Sequence, residues 1–188
     1  MRVIAGTARS LPLKTAEGWD TRPTQDRIKE TLFNMLQTYI PGAIFVDLFS
    51  GSGGIGIEAI SRGAKRAYFI ENAPKALACI EQNLAFTKFK EYGIVLKQDA
   101  VAALHSISEP FVDVIFMDPP YGQEHEKRVL QTLRGRKYVT EDTLIVVEAA
   151  LDTDFSYLEQ YGYTLQKEKK YKTNKHMFIT LSDKSGSE

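Results

Sequence analysis

The 188-residue chain has very little cysteine and lacks long apolar runs. Cys79 is the one cysteine, so no disulfide can form within the chain, and its apolar neighbours predict a buried, unreactive thiol. No stretch approaches the roughly 20 apolar residues that a membrane span requires. The first residues do not resemble a signal peptide. We therefore expect a protein that stays in the cytoplasm and does not enter a membrane.

A net charge is also absent, because 24 Lys and Arg balance 24 Asp and Glu. This balance excludes a strongly basic surface of the kind that coats nucleic acid. Segments 1–40 and 161–188 carry net charges of +2 and +3, whereas segment 41–160 carries −5. Basic ends would suit a polyanion gripped at its edges, but ordinary solvated surface gives the same counts. The histidines share no ligand spacing, so we expect no metal site and structural or solvent-facing roles for His105, His125 and His176.

Short apolar runs alternate with helix-like stretches from residue 43 onward. The predicted strands cover 43–48, 66–71, 93–98, 111–117 and 143–148. The predicted helices cover 54–62, 73–85, 99–105, 125–134 and 154–160. This alternation indicates a parallel sheet with helices on both faces. Two further strands, 163–171 and 175–181, flank a turn without a helix between them, which predicts an antiparallel hairpin at one edge of the sheet.

The first 40 residues hold too little apolar material to fold alone. Residues 2–20 indicate a small extended arm that could form a loose hairpin. Residues 26–36 carry apolar side chains at helical spacing, and Thr24 is a candidate N-cap for that helix. We therefore expect two parts: residues 1–40 as an arm and helix docked on the core, and residues 41–188 as the core domain.

Residues 46–56 predict a strand, a glycine-rich turn and the start of a helix. Gly51, Gly53 and Gly56 have the G-x-G-x-x-G spacing, which permits a sharp turn and a close approach of a ligand to the backbone. Glu71 ends the next predicted strand, eighteen residues after Gly53. An acid at that position can accept hydrogen bonds from both ribose hydroxyls of an adenine nucleoside. The pattern therefore indicates a cofactor that contains adenosine.

Four acids each end one of four successive predicted strands: Asp47, Glu71, Asp99 and Asp118. In an open parallel sheet, ligands bind beyond the carboxyl ends of the strands. Asp47 would repel the pyrophosphate of NAD but could anchor the cationic amino-acid end of S-adenosylmethionine, and Asp99 could accept from the adenine amino group. Any one of these acids could be a helix N-cap, but four in succession favour a binding site.

Asp118, Pro119, Pro120 and Tyr121 follow the apolar strand 111–117. The prolines end the strand and predict a rigid loop, because each fixes its own φ and lacks an N–H donor. The carboxylate and a loop carbonyl can accept hydrogen bonds from an exocyclic amine, while the tyrosine ring stacks on a base. The alternative is an ordinary Pro-Pro strand terminator with an incidental aspartate.

Together these motifs resemble class I S-adenosylmethionine-dependent methyltransferases that act on amino nitrogen. Segments 2–6, 21–30 and 49–53 look like those of the RsmD family, which methylates the exocyclic N2 of one guanine in small-subunit ribosomal RNA. The resemblance covers nearly the whole chain. It implies an α/β, Rossmann-like class I methyltransferase fold: a seven-stranded, mostly parallel sheet with a C-terminal antiparallel hairpin and a small N-terminal arm.

The resemblance also implies the ligands and the site. S-adenosyl-L-methionine is the expected cofactor, and 16S rRNA, within a small ribosomal subunit or an assembly intermediate, is the expected partner of a monomeric enzyme. The expected catalytic residues are Asp118, Pro119, Pro120 and Tyr121. The expected cofactor-binding residues are Asp47, Phe49, Ser50, Gly51, Ser52, Gly53, Glu71, Asn72, Asp99 and Ala100. The candidate RNA contacts are Arg9, Arg22, Arg27, Lys169, Lys170 and Lys172, with Lys175 nearby.

Three other interpretations of the sequence stay open. The first is an amino methyltransferase for DNA adenine or a protein glutamine, although the chain is small for an added DNA-recognition domain and glutamine enzymes resemble Asn-Pro-Pro-Tyr. The second is a non-catalytic RNA-binding assembly factor that keeps the fold, although the intact set of acids argues against it. The third is an NAD-dependent dehydrogenase, for which the Asp-Pro-Pro-Tyr loop offers no hydride chemistry.

Overall fold

The computed structural model describes residues 1–16 and 23–182. Its strands are β1 (Ile44–Leu48), β2 (Arg66–Glu71), β3 (Gly93–Lys97), β4 (Val114–Met117), β5 (Leu144–Ala150), β6 (Tyr163–Lys170) and β7 (Asn174–Leu181). Its helices are α1 (Pro23–Met35), α2 (Gly54–Ser61), α3 (Pro74–Phe86), α4 (Ala100–Ala103) and α5 (His125–Leu133). No helix among these residues is long and apolar enough to cross a membrane.

The seven strands form one sheet in the order β3-β2-β1-β4-β5-β7-β6. Strands β1 to β5 pair in parallel, whereas β7 is antiparallel to both β5 and β6. The predicted fold class and the predicted hairpin are therefore confirmed. The chain order reverses between β1 and β4, which makes their carboxyl ends the place where an open α/β sheet binds its ligands.

Two hydrophobic clusters cover the two faces of the sheet. One face carries α4 and α5, with Val129, Leu130 and Leu133 buried against the strands. The other face carries α1, α2 and α3, and includes buried Phe33 and Phe116. Because side chains alternate along a strand, Phe116 and Asp118 belong to the same face, the one that α1 covers.

Several predicted boundaries differ from the structure. Residues 156–162 form turns instead of the predicted helix 154–160, with hydrogen bonds between residues three apart, such as those from the Leu158 N–H to the Phe155 carbonyl (3.1 Å) and from the Gly162 N–H to the Glu159 carbonyl (2.9 Å). The predicted helix 99–105 is helical only as α4, and the strand predicted from residue 111 begins at Val114. Helix α1 begins at Pro23, so the predicted N-cap at Thr24 is wrong.

Three buried polar side chains fasten the N-terminal residues to the helices. Glu58 accepts hydrogen bonds from the backbone N–H groups of Ile4 (2.8 Å) and Ala5 (3.0 Å). Ser61 Oγ donates to the Ala5 carbonyl at 2.6 Å and accepts from an N–H of the same segment. Asn83 bonds both the N–H and the carbonyl of Lys14 at 2.8 Å. These contacts bring residues 1 and 15–16 to the edge of the sheet where β1 and β4 end.

Candidate active site

Two adjoining cavities open at the carboxyl ends of the parallel strands. The first cavity, about 390 Å³, lies between the sheet edge and α1 and is lined by Asp26, Asp47, Glu148 and His176 among others. The second cavity, about 580 Å³, lies beyond β2 and β3. Both volumes fall within the usual range for small-molecule sites. Phe49, Gly51 and Asp118 line both cavities and so form the boundary between them.

Most of the residues predicted for the site line these cavities. In the first cavity they are Asp47, Phe49, Ser50, Gly51, Ser52 and Asp118. In the second they are Phe49, Gly51, Glu71, Asn72, Asp99, Ala100, Asp118, Pro119, Pro120 and Tyr121. Gly53 lines neither cavity: its φ is +85°, and an added Cβ would lie 3.3 Å from the Phe69 and Ile80 side chains, so its role is in packing the turn.

The glycine-rich turn is held by hydrogen bonds to acidic side chains. Glu71 accepts from the Gly51 N–H at 2.9 Å and from the N–H groups of Asn72 and Ala73 at 2.8 and 2.9 Å. Phe49 adopts a positive φ of 61°, a conformation that costs a non-glycine residue energy and that clusters at functional sites. An added Cβ at Gly51 would meet nothing within 4 Å, so a ligand can approach this backbone closely.

Asp47 is a buried carboxylate beneath the turn. It accepts a hydrogen bond from the Gly56 N–H at 3.0 Å. Burial, followed by the negative charges of Asp118 and Glu71, raises the pKa of Asp47 to about 8, although the Gly56 N–H acts in the opposite direction. Without a bound cation, the folded protein therefore favours the neutral acid near pH 7.

We expect Asp47→Asn to stabilise the ligand-free protein at alkaline pH. The unfolded carboxyl titrates near 4 and the folded one at about 8, so wild-type stability falls as the pH rises between these values. Asparagine carries no such proton, so its gain should be a few kcal/mol at pH 8 and close to zero near pH 4. Urea unfolding at both pH values measures this difference, and an equal gain at the two values would contradict it.

Asp118 follows β4 and faces the boundary between the cavities. Asp118 is exposed to solvent, although the walls of the two cavities partly desolvate its carboxylate. This desolvation, together with the negative charge of Glu148, raises the pKa of Asp118 to about 7. Tyr121 is 56% exposed at the rim of the second cavity, where its ring can stack on a planar ligand.

Glu148 and His176 are site residues that the sequence interpretation missed. Glu148 Oε2 lies 2.9 Å from His176 Nε2, and Oε1 accepts from Asn174 Nδ2 at 2.7 Å. His176 is fully buried, so the predicted solvent-facing alternative is wrong for this residue. The sequence does contain a signal for Glu148, because this residue is a fifth acid at the end of a predicted strand, 143–148. No local pattern marks His176, which reaches the site through the pairing of β7 with β5.

The other two histidines lie apart from this pair. His125 lines the second cavity, with its ring 5.7 Å from the Phe49 ring and 2.9 Å from Gln123 Oε1. His105 is exposed and bonds Arg136 at 2.8 Å. Within residues 1–16 and 23–182, no group of three His, Cys, Asp or Glu side chains is placed to hold a metal ion.

The candidate RNA contacts do not form one surface. Lys170 and Lys172 are exposed at the β6–β7 turn, which lies at the carboxyl end of β5 because Asn174 pairs with Ala150. Lys169 is half-buried, 5.9 Å from the Tyr171 ring centroid. Arg27 is exposed on α1, beside residues that line the first cavity.

The remaining basic candidates lie elsewhere. Arg9 is in the segment that bonds Ser61 at the end of α2, so it lies towards the opposite edge of the sheet. Lys175 is buried and contacts Glu168 at 3.4 Å and the Thr153 carbonyl at 3.0 Å, so it is not available to a phosphate. Arg22 lies outside the described residues.

The sheet order, the antiparallel β5-β7-β6 edge and the cleft at the carboxyl ends define a class I methyltransferase fold. The family described as "Conserved hypothetical protein 95" matches residues 1–180, and the chain belongs to this family, the RsmD family. The chain is similar to Ribosomal RNA small subunit methyltransferase D of Haemophilus influenzae, with 36% identity over 173 residues that cover 90% of this chain and 88% of the relative. It is 32% identical over 152 residues to the Escherichia coli protein of the same name, covering 81% and 76%.

Solved structures show the same likeness. A structure from Haemophilus influenzae matches with a TM-score of 0.80 and 30% identity, covering 97% of this chain and 99% of that one. A structure from Escherichia coli also has a TM-score of 0.80, with 28% identity and coverage of 97% and 98%. The match over nearly the full length of each chain includes both the N-terminal residues and the hairpin.

Proposed function

We propose that this protein transfers a methyl group from S-adenosylmethionine to the exocyclic N2 of a guanine in 16S rRNA, as a monomer acting on a small ribosomal subunit or its precursor. The observation that carries the proposal is the position of the Asp118–Tyr121 loop. It places a carboxylate, a rigid carbonyl and an exposed aromatic ring at the boundary of two cavities. The names of the Haemophilus influenzae and Escherichia coli relatives support the ribosomal RNA substrate.

The residues present fit S-adenosylmethionine. Asp26 Oδ1 is buried at the first cavity and has no hydrogen-bond partner among the described residues, so it can accept from a cationic ammonium group. Asp47 lies across the same cavity, and a cation there would favour its ionised form. Gly51 leaves space beside the backbone, and Glu71 and Asp99 line the second cavity, where an adenosine would lie. When bound, S-adenosylmethionine supplies a methyl group activated by a positively charged sulfur.

We expect Glu71→Gln to weaken the binding of S-adenosylmethionine about 10- to 100-fold, the loss that corresponds to a charge-assisted hydrogen bond of about 1.5–3 kcal/mol. The glutamine removes the charge that ribose hydroxyls would bond, and its single oxygen can serve either the Gly51 N–H or the N–H groups of Asn72 and Ala73, but not both sets. Isothermal titration calorimetry measures the change. Glu81→Gln is the control, because Glu81 is an exposed acid on α3. Equal affinities of Glu71→Gln and wild type would contradict the role.

The amino group of guanine is a poor nucleophile because its lone pair is conjugated with the ring. A hydrogen bond from N2 to the Asp118 carboxylate, and a second to the Pro119 carbonyl, would localise the lone pair and direct it into the cleft. Tyr121 would stack on the extruded base, an interaction worth about 1–3 kcal/mol.

Asp99, a proposed cofactor-binding residue, also has a structural role, because its Oδ1 caps α4 by accepting from the Val101 N–H at 3.0 Å.

The ionisation state of Asp118 decides whether it can accept from the amine. With its pKa raised to about 7, the carboxylate form prevails above that pH, and it can also take the proton that N2 releases. Below pH 7 the protonated carboxyl loses an acceptor site. We therefore expect kcat/KM, which reports the ionisation of the free enzyme, to fall as the pH drops through this value.

The β6–β7 turn is a candidate phosphate-binding element on the same side as the cleft. We expect the double variant Lys170→Gln, Lys172→Gln to weaken RNA binding and to lower the slope of log K against log salt by about 0.7–0.9 for each phosphate that is no longer neutralised. Arg9→Gln is the control, because Arg9 lies towards the opposite edge of the sheet. Fluorescence anisotropy at several salt concentrations measures the slopes. An unchanged slope in the double variant would exclude the turn as a binding element for RNA.

The substrate class is tested by transfer of labelled methyl from S-adenosylmethionine to four acceptors: small ribosomal subunits that lack the modification, naked 16S rRNA, duplex DNA and total protein. Asp118→Asn provides the background. The proposal predicts label in ribosomal RNA, on the subunit or on the naked molecule. Label in DNA or protein alone would replace it with the corresponding amino methyltransferase, and no label with intact cofactor binding would favour an assembly factor.

A further inference from the structure

Asp118, which directly follows β4, and Glu148, on the adjacent strand β5, occupy neighbouring positions. The parallel register pairs Met117 of β4 with Val147 of β5, and the next residue along each chain segment is an acid. Phe116 and Val146 belong to the cluster that α1 covers, and the alternation of side chains puts Asp118 and Glu148 on that same face. Both acids line the first cavity. Two carboxylates thus face one space beside the cleft.

Two side chains of the neighbouring strand β7 hold Glu148 in place. His176 Nε2 lies 2.9 Å from its Oε2, and Asn174 Nδ2 donates to its Oε1 at 2.7 Å. The His176 ring is itself fixed, with Nδ1 at 3.3 Å from the Tyr171 hydroxyl and no exposed surface. The Asn174 amide points its nitrogen at Glu148 although its own Oδ1 is then buried without a partner among the described residues.

This arrangement leaves Glu148 able to accept further hydrogen bonds. An ionised carboxylate has about four acceptor positions, and the two hydrogen bonds use one on each oxygen. The Glu148 side chain keeps 19% of its surface exposed, whereas His176 has none. Because Glu148 lines the first cavity, its remaining acceptor positions are accessible from that cavity.

The Watson–Crick edge of guanine presents two adjacent donors, N1–H and the N2 amine. An enzyme that extrudes its target base reads this edge by hydrogen bonds. Two neighbouring carboxylates are complementary to these two donors. Adenine would place the lone pair of N1 against one of the carboxylates, so the same pair of acids would reject it.

We propose that Glu148, positioned by His176 and Asn174, is a specificity residue that accepts a hydrogen bond from guanine N1–H while Asp118 accepts from N2. This inference rests on the proposed function and adds the residue that distinguishes the target base. Glu148 touches the base but not the transferred methyl group. Its removal should therefore change the choice of base more than the binding of the cofactor.

The test uses ribosomal RNA with 2-aminopurine in place of the target guanine. This base keeps the N2 amine but has a lone pair at N1, so wild type should methylate it far more slowly than guanine. Glu148→Gln offers an N–H to that lone pair and no charge to N1–H. We expect the ratio of kcat/KM for guanine to that for 2-aminopurine to fall by about tenfold or more in this variant. The loss of O6 affects both enzymes equally and cancels in the comparison.

Matched variants separate recognition from folding. Glu159→Gln removes an exposed glutamate far from the cavity and should leave the ratio unchanged. The affinity of Glu148→Gln for S-adenosylmethionine, measured by calorimetry, should stay at the wild-type value. If Glu148→Gln does not fold, Glu148→Asp moves the carboxylate back by one methylene, which weakens both its bond to N1–H and its repulsion of the N1 lone pair, so the ratio should also fall in this variant.

Two outcomes would overturn the inference, and they are distinguishable. If wild type methylates guanine N2 but the ratio is the same in the Glu148 variant, Glu148 only supports the hairpin and the proposed function stands. If wild type transfers no methyl group to guanine N2 in any ribosomal RNA, the proposed function fails and this inference fails with it.

Discussion

Replacing Asp118 by asparagine should lower the rate of methyl transfer about 10²- to 10⁴-fold, the usual contribution of a positioned acid or base. The amide has one oxygen in place of two, carries no charge and cannot take the proton that the attacked amine releases. The affinity for S-adenosylmethionine should change little, because the acids proposed to hold it are Asp26, Asp47 and Glu71. Single-turnover transfer and calorimetry measure the two quantities separately.

Asp142→Asn is the matched control for this substitution. Asp142 is exposed just before β5, at the amino end of the strand and far from the cleft. The Asp142→Asn variant should transfer methyl groups at the wild-type rate. If Asp118→Asn retained more than about a tenth of wild-type turnover, the carboxylate would not be the group that orients the amine.

Replacing Glu58 by alanine should destabilise the fold by about 3–5 kcal/mol, the cost of breaking a buried ion pair by removing one partner. Glu58 is fully buried, 3.3 Å from Lys29 Nζ and 2.8 Å from Arg62 Nε. Burial already lowers the pKa of Lys29, and the charge of Glu58 opposes that shift. The alanine variant leaves the Lys29 ammonium group buried without its carboxylate partner and also removes the acceptors of the Ile4 and Ala5 N–H groups.

Urea unfolding compares this variant with Glu81→Ala. Glu81 pairs with Lys97 at 3.5 Å, but both side chains are more than half exposed, so the loss of stability should stay below about 1 kcal/mol. A loss of similar size in the two variants would show that Glu58 does not fasten the N-terminal residues. Because Met1, Thr15 and Ala16 of the N-terminal segment line the first cavity, Glu58→Ala should also weaken cofactor binding.

The sequence contains the main parts of the fold and the site. Strands alternate with helices over 43–148, so the parallel sheet follows from local patterns. The acids at 47, 71, 99 and 118 can be located because parallel strands bring their carboxyl ends to one edge. Glycine spacing and the Pro-Pro pair are also local signals, and the structure places them at the cavities or in the turn beside them.

The features that the sequence did not predict depend on contacts between residues that are distant in the chain, or on the choice between a turn and a helix. His176 reaches Glu148 only through the antiparallel register of β7 with β5, and no periodicity encodes that register. Arg9 and Lys170 look alike as basic residues, but the docking of the N-terminal segment on Ser61 separates them. Phe155 and Leu158 are buried in the core, yet residues 156–162 form turns instead of the predicted helix.

The most direct test of the proposed function is the identity of the methylated atom. Small ribosomal subunits that lack the modification would be incubated with the protein and labelled S-adenosylmethionine, and their RNA digested to nucleosides for mass spectrometry. We expect labelled N2-methylguanosine, absent with Asp118→Asn. Label on a ring nitrogen, on a ribose or on another base would contradict the proposed function, because the Asp118–Tyr121 loop would then not be holding an exocyclic amine of guanine.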